Sequence, residues 1–133
     1  GVVPETSGTV DAPIGRDQSD RKRMTVTFQN SKPARTHYDV IERFGAFTHI
    51  LAKLETGRTH QIRVHMAYLK HPVLGDPIYG PKKNSFNLKA QVLHATHLGL
   101  KHPRTDEWLE FDAPVPPSFE KVLETLKDPM LSF

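Results

Sequence analysis

The stretch Phe47-Thr48-His49-Ile50-Leu51-Ala52-Lys53-Leu54-Glu55-Thr56-Gly57-Arg58-Thr59-His60-Gln61-Ile62-Arg63-Val64-His65-Met66 holds two periodicities with a break between them. In its first half Thr48, Ile50, Ala52 and Leu54 fall on one side, and Phe47, His49, Leu51 and Lys53 on the other. That period of two is the mark of a strand. Thr56-Gly57 ends it. From Thr59 to Lys70 the apolar residues Ile62, Met66 and Leu69 recur at helical spacing. Thr59 is placed to cap the helix, and Pro72 to stop it soon after Lys70. The chain is thus predicted to run from a strand through a glycine into a helix.

Working outward, Thr36–Phe44 is β-prone, with Tyr38, Val40, Ile41 and Phe44 marking both faces. Gly45-Ala46 reads as a hairpin turn, so this segment pairs antiparallel with the strand that follows it. Met24, Val26 and Phe28 alternate with threonines and predict another strand with one apolar face. Residues 1–23 look irregular, apart from a short extended piece around Thr9–Ile14, and Arg16–Arg23 reads as a solvated loop. Beyond the helix, Gly75-Asp76-Pro77 is a turn, and Gly80-Pro81-Lys82-Lys83-Asn84 opens an exposed, positively charged loop. Leu98 and Leu100 mark a strand, and Pro103–Asp106 a turn. Trp108–Asp112 is the antiparallel partner, with Leu109 and Phe111 expected inward. A closing helix begins at Pro117-Ser118, with Phe119, Val122, Leu123 and Leu126 as its apolar stripe. With no internal repeat or linker, the expectation is one α+β unit with a mainly antiparallel sheet and two helices.

The 133 residues are 37% hydrophobic and 25% charged, a globular composition with room for a modest core. No apolar run approaches the roughly 18–20 residues of a membrane span. The absence of cysteine excludes disulfides and thiolate chemistry, and fits a cytoplasmic location. Net charge is +3, unevenly placed: residues 1–70 carry 11 Lys/Arg against 7 Asp/Glu, residues 71–133 carry 7 against 8. A polyanion would be drawn to the first half.

Chemistry concentrates at the strand–helix junction. Two arginines, two histidines and a glutamine lie where a helix start aims unpaired backbone N–H groups and positive dipole at one spot, a place where anions collect. Arg63 lies about 100° around the helix from Ile62. It can therefore edge the core while its guanidinium reaches a carboxylate or phosphate bidentately. An ordinary surface helix position is the competing reading. A metal site is disfavoured: His60 and His65 stand about 140° apart on a helix, no H-E-x-x-H spacing occurs, and His94 and His97 lack a clear third ligand. Tyr38, Tyr79 and Trp108 can stack on bases or serve as structural aromatics.

Thr56-Gly57-Arg58-Thr59-His60-Gln61-Ile62-Arg63-Val64-His65, followed by His71-Pro72-Val73-Leu74-Gly75-Asp76-Pro77-Ile78-Tyr79-Gly80, closely resembles the C-terminal signature of the ribosomal large-subunit pseudouridine synthases. Gly8–Arg16 resembles that family's segment just after its catalytic core. Thr36-His37-Tyr38-Asp39-Val40 and Leu93-His94-Ala95 stand in the expected order, so the resemblance spans nearly the whole chain. It implies a mixed α/β catalytic domain on a long, mainly antiparallel sheet. It also implies isomerisation of uridine to pseudouridine in large-subunit ribosomal RNA, without metal or cofactor. By motif position Arg63 becomes the arginine partner of the catalytic aspartate, and Arg58, Thr59, His60 and Gln61 line the same cleft near RNA or the helix start.

One departure matters. The family's nucleophile lies in an Arg-Leu-Asp motif with a base-stacking tyrosine soon after, and no Arg-Leu-Asp occurs in this chain. Asp11, Asp39 and Asp76 belong to other family segments, and Tyr38 is not the stacking tyrosine. The expectation is that residues 1–133, which begin at Gly1 as if a strand had been cut, form the C-terminal portion of one catalytic domain. Alone they are expected to be inactive and, with a sheet edge exposed, to self-associate. The alternatives are a non-catalytic RNA-binding module and, more distantly, a histidine-metal hydrolase.

Overall fold

The computed structural model describes residues 1–83 and 86–127. Its first three-stranded sheet is built from β1 (Ser7–Asp11), β5 (Arg35–Phe44) and β6 (Phe47–Leu54), in the order β1-β5-β6. Gly45, at φ 44°, makes the tight turn expected between the two long strands. They pair antiparallel from Thr36 opposite Leu54 to Phe44 opposite Phe47, with a bulge between Val40 and Glu42. A second sheet, β2 (Ile14–Arg16), β3 (Met24–Val26) and β4 (Ser31–Lys32), has the order β3-β2-β4. A third is the hairpin of β7 (His97–Lys101) and β8 (Trp108–Asp112). With α1 (Gln61–Tyr68) and α2 (Pro117–Lys127) the architecture is α+β. Each described pairing is antiparallel. The mainly antiparallel pairing is as expected, and among the described residues it is divided over three sheets.

The position of α1 explains its sequence. Met66 joins Val3, Val10, Ala12 and Tyr38 in one core cluster, against the first sheet. Val64 joins Ile14, Ala34 and Tyr79 in another, against the second sheet. Two residues apart on a helix is about 200°, so opposite sides of α1 are covered. The single apolar stripe through Ile62, Met66 and Leu69 is therefore half of the answer. Gln61, Arg63, Val64 and His65 are buried as well, so the polar residues of this helix are interior groups that must find partners within the protein.

Other expectations need correction. The strand through Met24 and Val26 ends before Phe28, which is 88% exposed, because the chain turns at Asn30 with φ 50°. Residues 1–23 hold two strands, β1 and β2, where little regular structure was expected. Phe111 faces outward and Leu109 is half-buried. The helix starts at Gln61, and the residue before it is His60 in the left-handed conformation, with no side-chain cap from Thr59. Lys82 and Lys83 are exposed as expected, and Asn84 lies outside the described residues. The stripe of α2 holds: Leu126 is buried, and Phe119, Val122 and Leu123 are half-buried.

Candidate active site around Arg63

Buried polar side chains tie the strand–helix junction together. Gln61 accepts from the Thr56 hydroxyl (2.8 Å) and the Arg58 backbone N–H (2.9 Å) through Oε1, and donates through Nε2 to Arg35 O and Thr36 Oγ1 (both 3.0 Å). Its amide is thus satisfied on both sides. His65 Nε2 meets the carbonyl of Ala12 at 2.9 Å, and a carbonyl only accepts, so this nitrogen carries a proton. Nδ1 then accepts from Thr36 Oγ1 at 2.8 Å. The resulting chain, Gln61 to Thr36 to His65 to Ala12, locks α1 onto β5 and the end of β1.

Arg63 sits on the next side of the helix. Its Nε donates to Asp76 Oδ2 (2.8 Å) and its Nη2 to Asp76 Oδ1 (2.9 Å), a bidentate pair. The side chain of Asp76 is fully enclosed and that of Arg63 is 10% exposed. Burial alone would raise the Asp76 carboxyl. The Arg63 hydrogen bond, the backbone N–H groups of Tyr79 and Ile78, and the charge of Arg63 outweigh it and hold the acid below its ordinary range. The same hydrogen bond raises Arg63 further. Asp76 reaches this position because Gly75 turns the chain at φ +78°, where an added Cβ would lie 2.4 Å from Ala90 O.

Tyr79 closes the site. Its ring centroid lies 5.1 Å from Arg63 Cζ and 5.2 Å from Arg23 Cζ, within cation–π range of both. Its hydroxyl accepts from Met24 N (2.9 Å), which leaves its own proton for His60 Nδ1 at 2.8 Å. Such a bond needs an unprotonated Nδ1. Burial, and then the charge of Arg63, lower the His60 pKa in agreement with that, against the pull of Asp76.

The structure therefore brings His60 and Arg63 together through Tyr79. Arg58 is half-buried, with its Nε on Pro33 O at 2.8 Å, and Thr59 is exposed beside it. Gln61 lies at the helix start, one of the two places expected for it: at 3% exposure and with its amide engaged inside the protein, it braces the junction. Asp76 and Tyr79 were read in the sequence as a turn and an uncommitted aromatic. The signal for them was the second half of the signature, which holds both residues. Among the described residues no three His, Asp or Glu side chains gather where a metal ion could be held.

A family model described as RNA pseudouridylate synthase matches residues 2–68. The chain is 52% identical to an RNA pseudouridine synthase of Chloroflexus aurantiacus, over 96% of this chain and 40% of that protein. It is 46% identical to ribosomal large subunit pseudouridine synthase D of Nitrosomonas europaea, over 93% and 38% respectively. Among solved structures, human RNA pseudouridylate synthase domain containing 1 superposes with a TM-score of 0.76 at 29% identity, covering 96% of this chain and 62% of that one. The chain spans about 40% of the length of the curated relatives it matches.

Proposed function

We infer the function from one premise: this chain belongs to the RNA pseudouridylate synthase family. The protein isomerises uridine to pseudouridine in RNA, with large-subunit ribosomal RNA as substrate and the cytoplasm as its location. Residues 1–133 contribute the C-terminal portion of the catalytic domain, and the nucleophilic aspartate comes from outside them. The uridine must leave the RNA stack before a side chain can reach its glycosidic carbon. The aspartate bonds to C1′ as the bond from C1′ to N1 breaks; the base then turns, and its C5 bonds to C1′ and releases the aspartate. The C5 proton departs to solvent and N1 gains one. Redox state and water are unchanged, so the reaction balances without a cofactor.

Arg63 keeps the attacking carboxylate ionised and aimed, since an adjacent guanidinium lowers a carboxylate pKa. The observation that carries this reading is the fixed guanidinium: Arg63 is gripped on one edge by Asp76, yet is not wholly enclosed. Arg58, Thr59 and His60 would meet the RNA; Thr59 is exposed and Arg58 and His60 are half-buried, which supports that reading.

The test is tritium release from 5-tritiated uridine in ribosomal RNA, using the full-length protein and its Arg63→Ala form. The expected result is release by the first and a loss of about 10²–10³-fold in the second, the scale on which removing one electrostatic stabiliser acts. Undiminished release from Arg63→Ala would remove Arg63 from its role. Salt-dependent binding to the same RNA with no release by the full-length protein would favour the second reading, a non-catalytic RNA-binding module, which the excess of Lys and Arg in residues 1–70 supports.

A further inference from the structure

We propose that Asp76 and Tyr79 are positioning residues, the first holding one edge of Arg63 and the second setting its ring beneath Cζ, so that the other edge meets the nucleophilic carboxylate in a single fixed orientation. The inference rests on the role of Arg63 given above and adds two residues to it.

A guanidinium carries five N–H groups on a rigid plane. Asp76 engages the Nε edge, using the Nε proton and one from Nη2. The remaining protons, two on Nη1 and one on Nη2, form a second fork directed away from Asp76. That fork matches the spacing of a carboxylate or of two phosphate oxygens. On another side Arg63 Cζ lies over the Tyr79 ring, 5.1 Å from its centroid, within cation–π reach.

The holders are themselves held. Asp76 Oδ1 also accepts from Ile78 N and Tyr79 N, both at 3.0 Å. Gly80 N returns to Asp76 O at 3.2 Å, an approach close enough that a Cβ on Gly80 would lie 2.8 Å from that oxygen. The Tyr79 hydroxyl is tied to Met24 N and His60 Nδ1. The four-residue turn after Asp76 thus acts as a clamp on the arginine, with no bonds needed from the reacting groups.

The pairing also sets the charge. Asp76 offsets much of the Arg63 charge, so the arginine aims an incoming carboxylate without gripping it as tightly as an unpaired guanidinium would. A nucleophile needs that balance, since a carboxylate held too firmly attacks poorly.

A double-mutant cycle in the full-length protein tests the proposal, with RNA affinity and single-turnover tritium release measured separately. Asp76→Asn is expected to slow the chemical step by about 10²-fold, the cost of misplacing a reacting group, while RNA affinity stays within about threefold. Arg63→Lys, which keeps charge but loses the fork, is expected to act on the same step. Arg63→Lys combined with Asp76→Asn is expected to be no slower than Arg63→Lys alone, because both changes break one unit. Losses that multiply, or a fast Asp76→Asn protein, would overturn the proposal.

Tyr79→Leu leaves the carboxylate in place and gives a second route if Asp76→Asn fails to fold. It is expected to slow the same step by about tenfold, again without further loss on Arg63→Lys. One readout is independent of activity. The Arg63 Nε proton should exchange with water far more slowly than those of the exposed arginines, by nitrogen-edited NMR of the wild-type protein. Fast exchange would sink the clamp even in an active enzyme. Slow exchange in a protein that makes no pseudouridine would leave the clamp standing and retire the functional reading.

Discussion

The α1 junction and the β7–β8 hairpin invert each other. Around α1, charged and polar side chains are inside: Thr36 and His65 are at 0% exposure, Asp76 at 1% and Arg63 at 8%. In the hairpin, apolar side chains are outside: Leu98, Trp108 and Phe111 all exceed 50%. Burying polar groups costs free energy unless each finds a partner. A fold that does so has fixed those groups in direction, and direction is what catalysis needs from them. The exposed apolar residues of the hairpin carry no such constraint.

The largest test of this contrast is Asp76→Ala. It strands the Arg63 guanidinium in a site built around a carboxylate, and breaking one side of a buried pair costs about 3–5 kcal/mol. Urea denaturation of this chain at neutral pH should show that loss. Replacing both partners, as Arg63→Met with Asp76→Leu, should recover much of it, because two apolar groups leave no charge unpaired. A loss below about 1 kcal/mol for Asp76→Ala would mean that the turn after Gly75 opens to solvent easily and that the junction is no more rigid than the hairpin.

How far the sequence foretold this depends on range. The hairpin of β5 and β6 and the amphipathic α2 were legible because their signals are local: alternation around Gly45, and an apolar stripe from Phe119 to Leu126. Arg63 stood out because it edges the apolar stripe at the strand–helix junction, and the family signature decided between a partnered arginine and an ordinary surface one. Its partner did not, since Asp76 is 13 residues away and reads locally as a turn. The bracing role of Gln61 was hidden for the same reason. Its partners are the carbonyl of Arg35 and the hydroxyl of Thr36, brought in by a strand that pairing, and not spacing, delivers. The extent of β3 was overread from Met24, Val26 and Phe28, because alternation reports preference and the turn at Asn30 overrules it.

A smaller effect separates the two regions by pH. His60 has a lowered pKa in the folded protein, from burial and then from Arg63. His97, in the hairpin, has a raised one, from its hydrogen bond to Asp112. Below the ordinary histidine value of about 6.5, the unfolded chain takes up a proton that folded His60 resists, so acid erodes the stability this residue contributes. His97 has the opposite sign: its contribution is present below that value and fades as pH rises through the folded pKa. The two signs separate in single variants. His60→Gln should lessen the fall in Tm between pH 7.5 and 5.5, as far as it removes that linkage, whereas His97→Gln should steepen it slightly. The hairpin histidine is exposed and screened, so its effect is the lesser one. Equal and same-signed changes would erase the distinction.

The smallest expected effect lies at Trp108. Its indole packs across the strand pair over Gly99, where an added Cβ would come within 2.5 Å of the ring, and its Nε1 donates to Glu110 at 3.0 Å. A cross-strand contact of this kind is worth roughly 0.2–1 kcal/mol, so Trp108→Ser should stay within that range in urea. Its visible consequence should be in solution behaviour. Leu98, Trp108 and Phe111 together offer an apolar surface, and the side of β6 that pairs with no strand among the described residues, with Leu51 and Leu54 exposed, offers a strand edge. The chain is expected to self-associate in sedimentation, and Trp108→Ser to weaken that association while leaving the protected Arg63 Nε proton unchanged. A wild-type chain that sediments as a monomer would contradict the first part. A Trp108→Ser chain that loses protection at Arg63 would show that the hairpin and the junction form one cooperative unit, and the contrast between them would no longer hold.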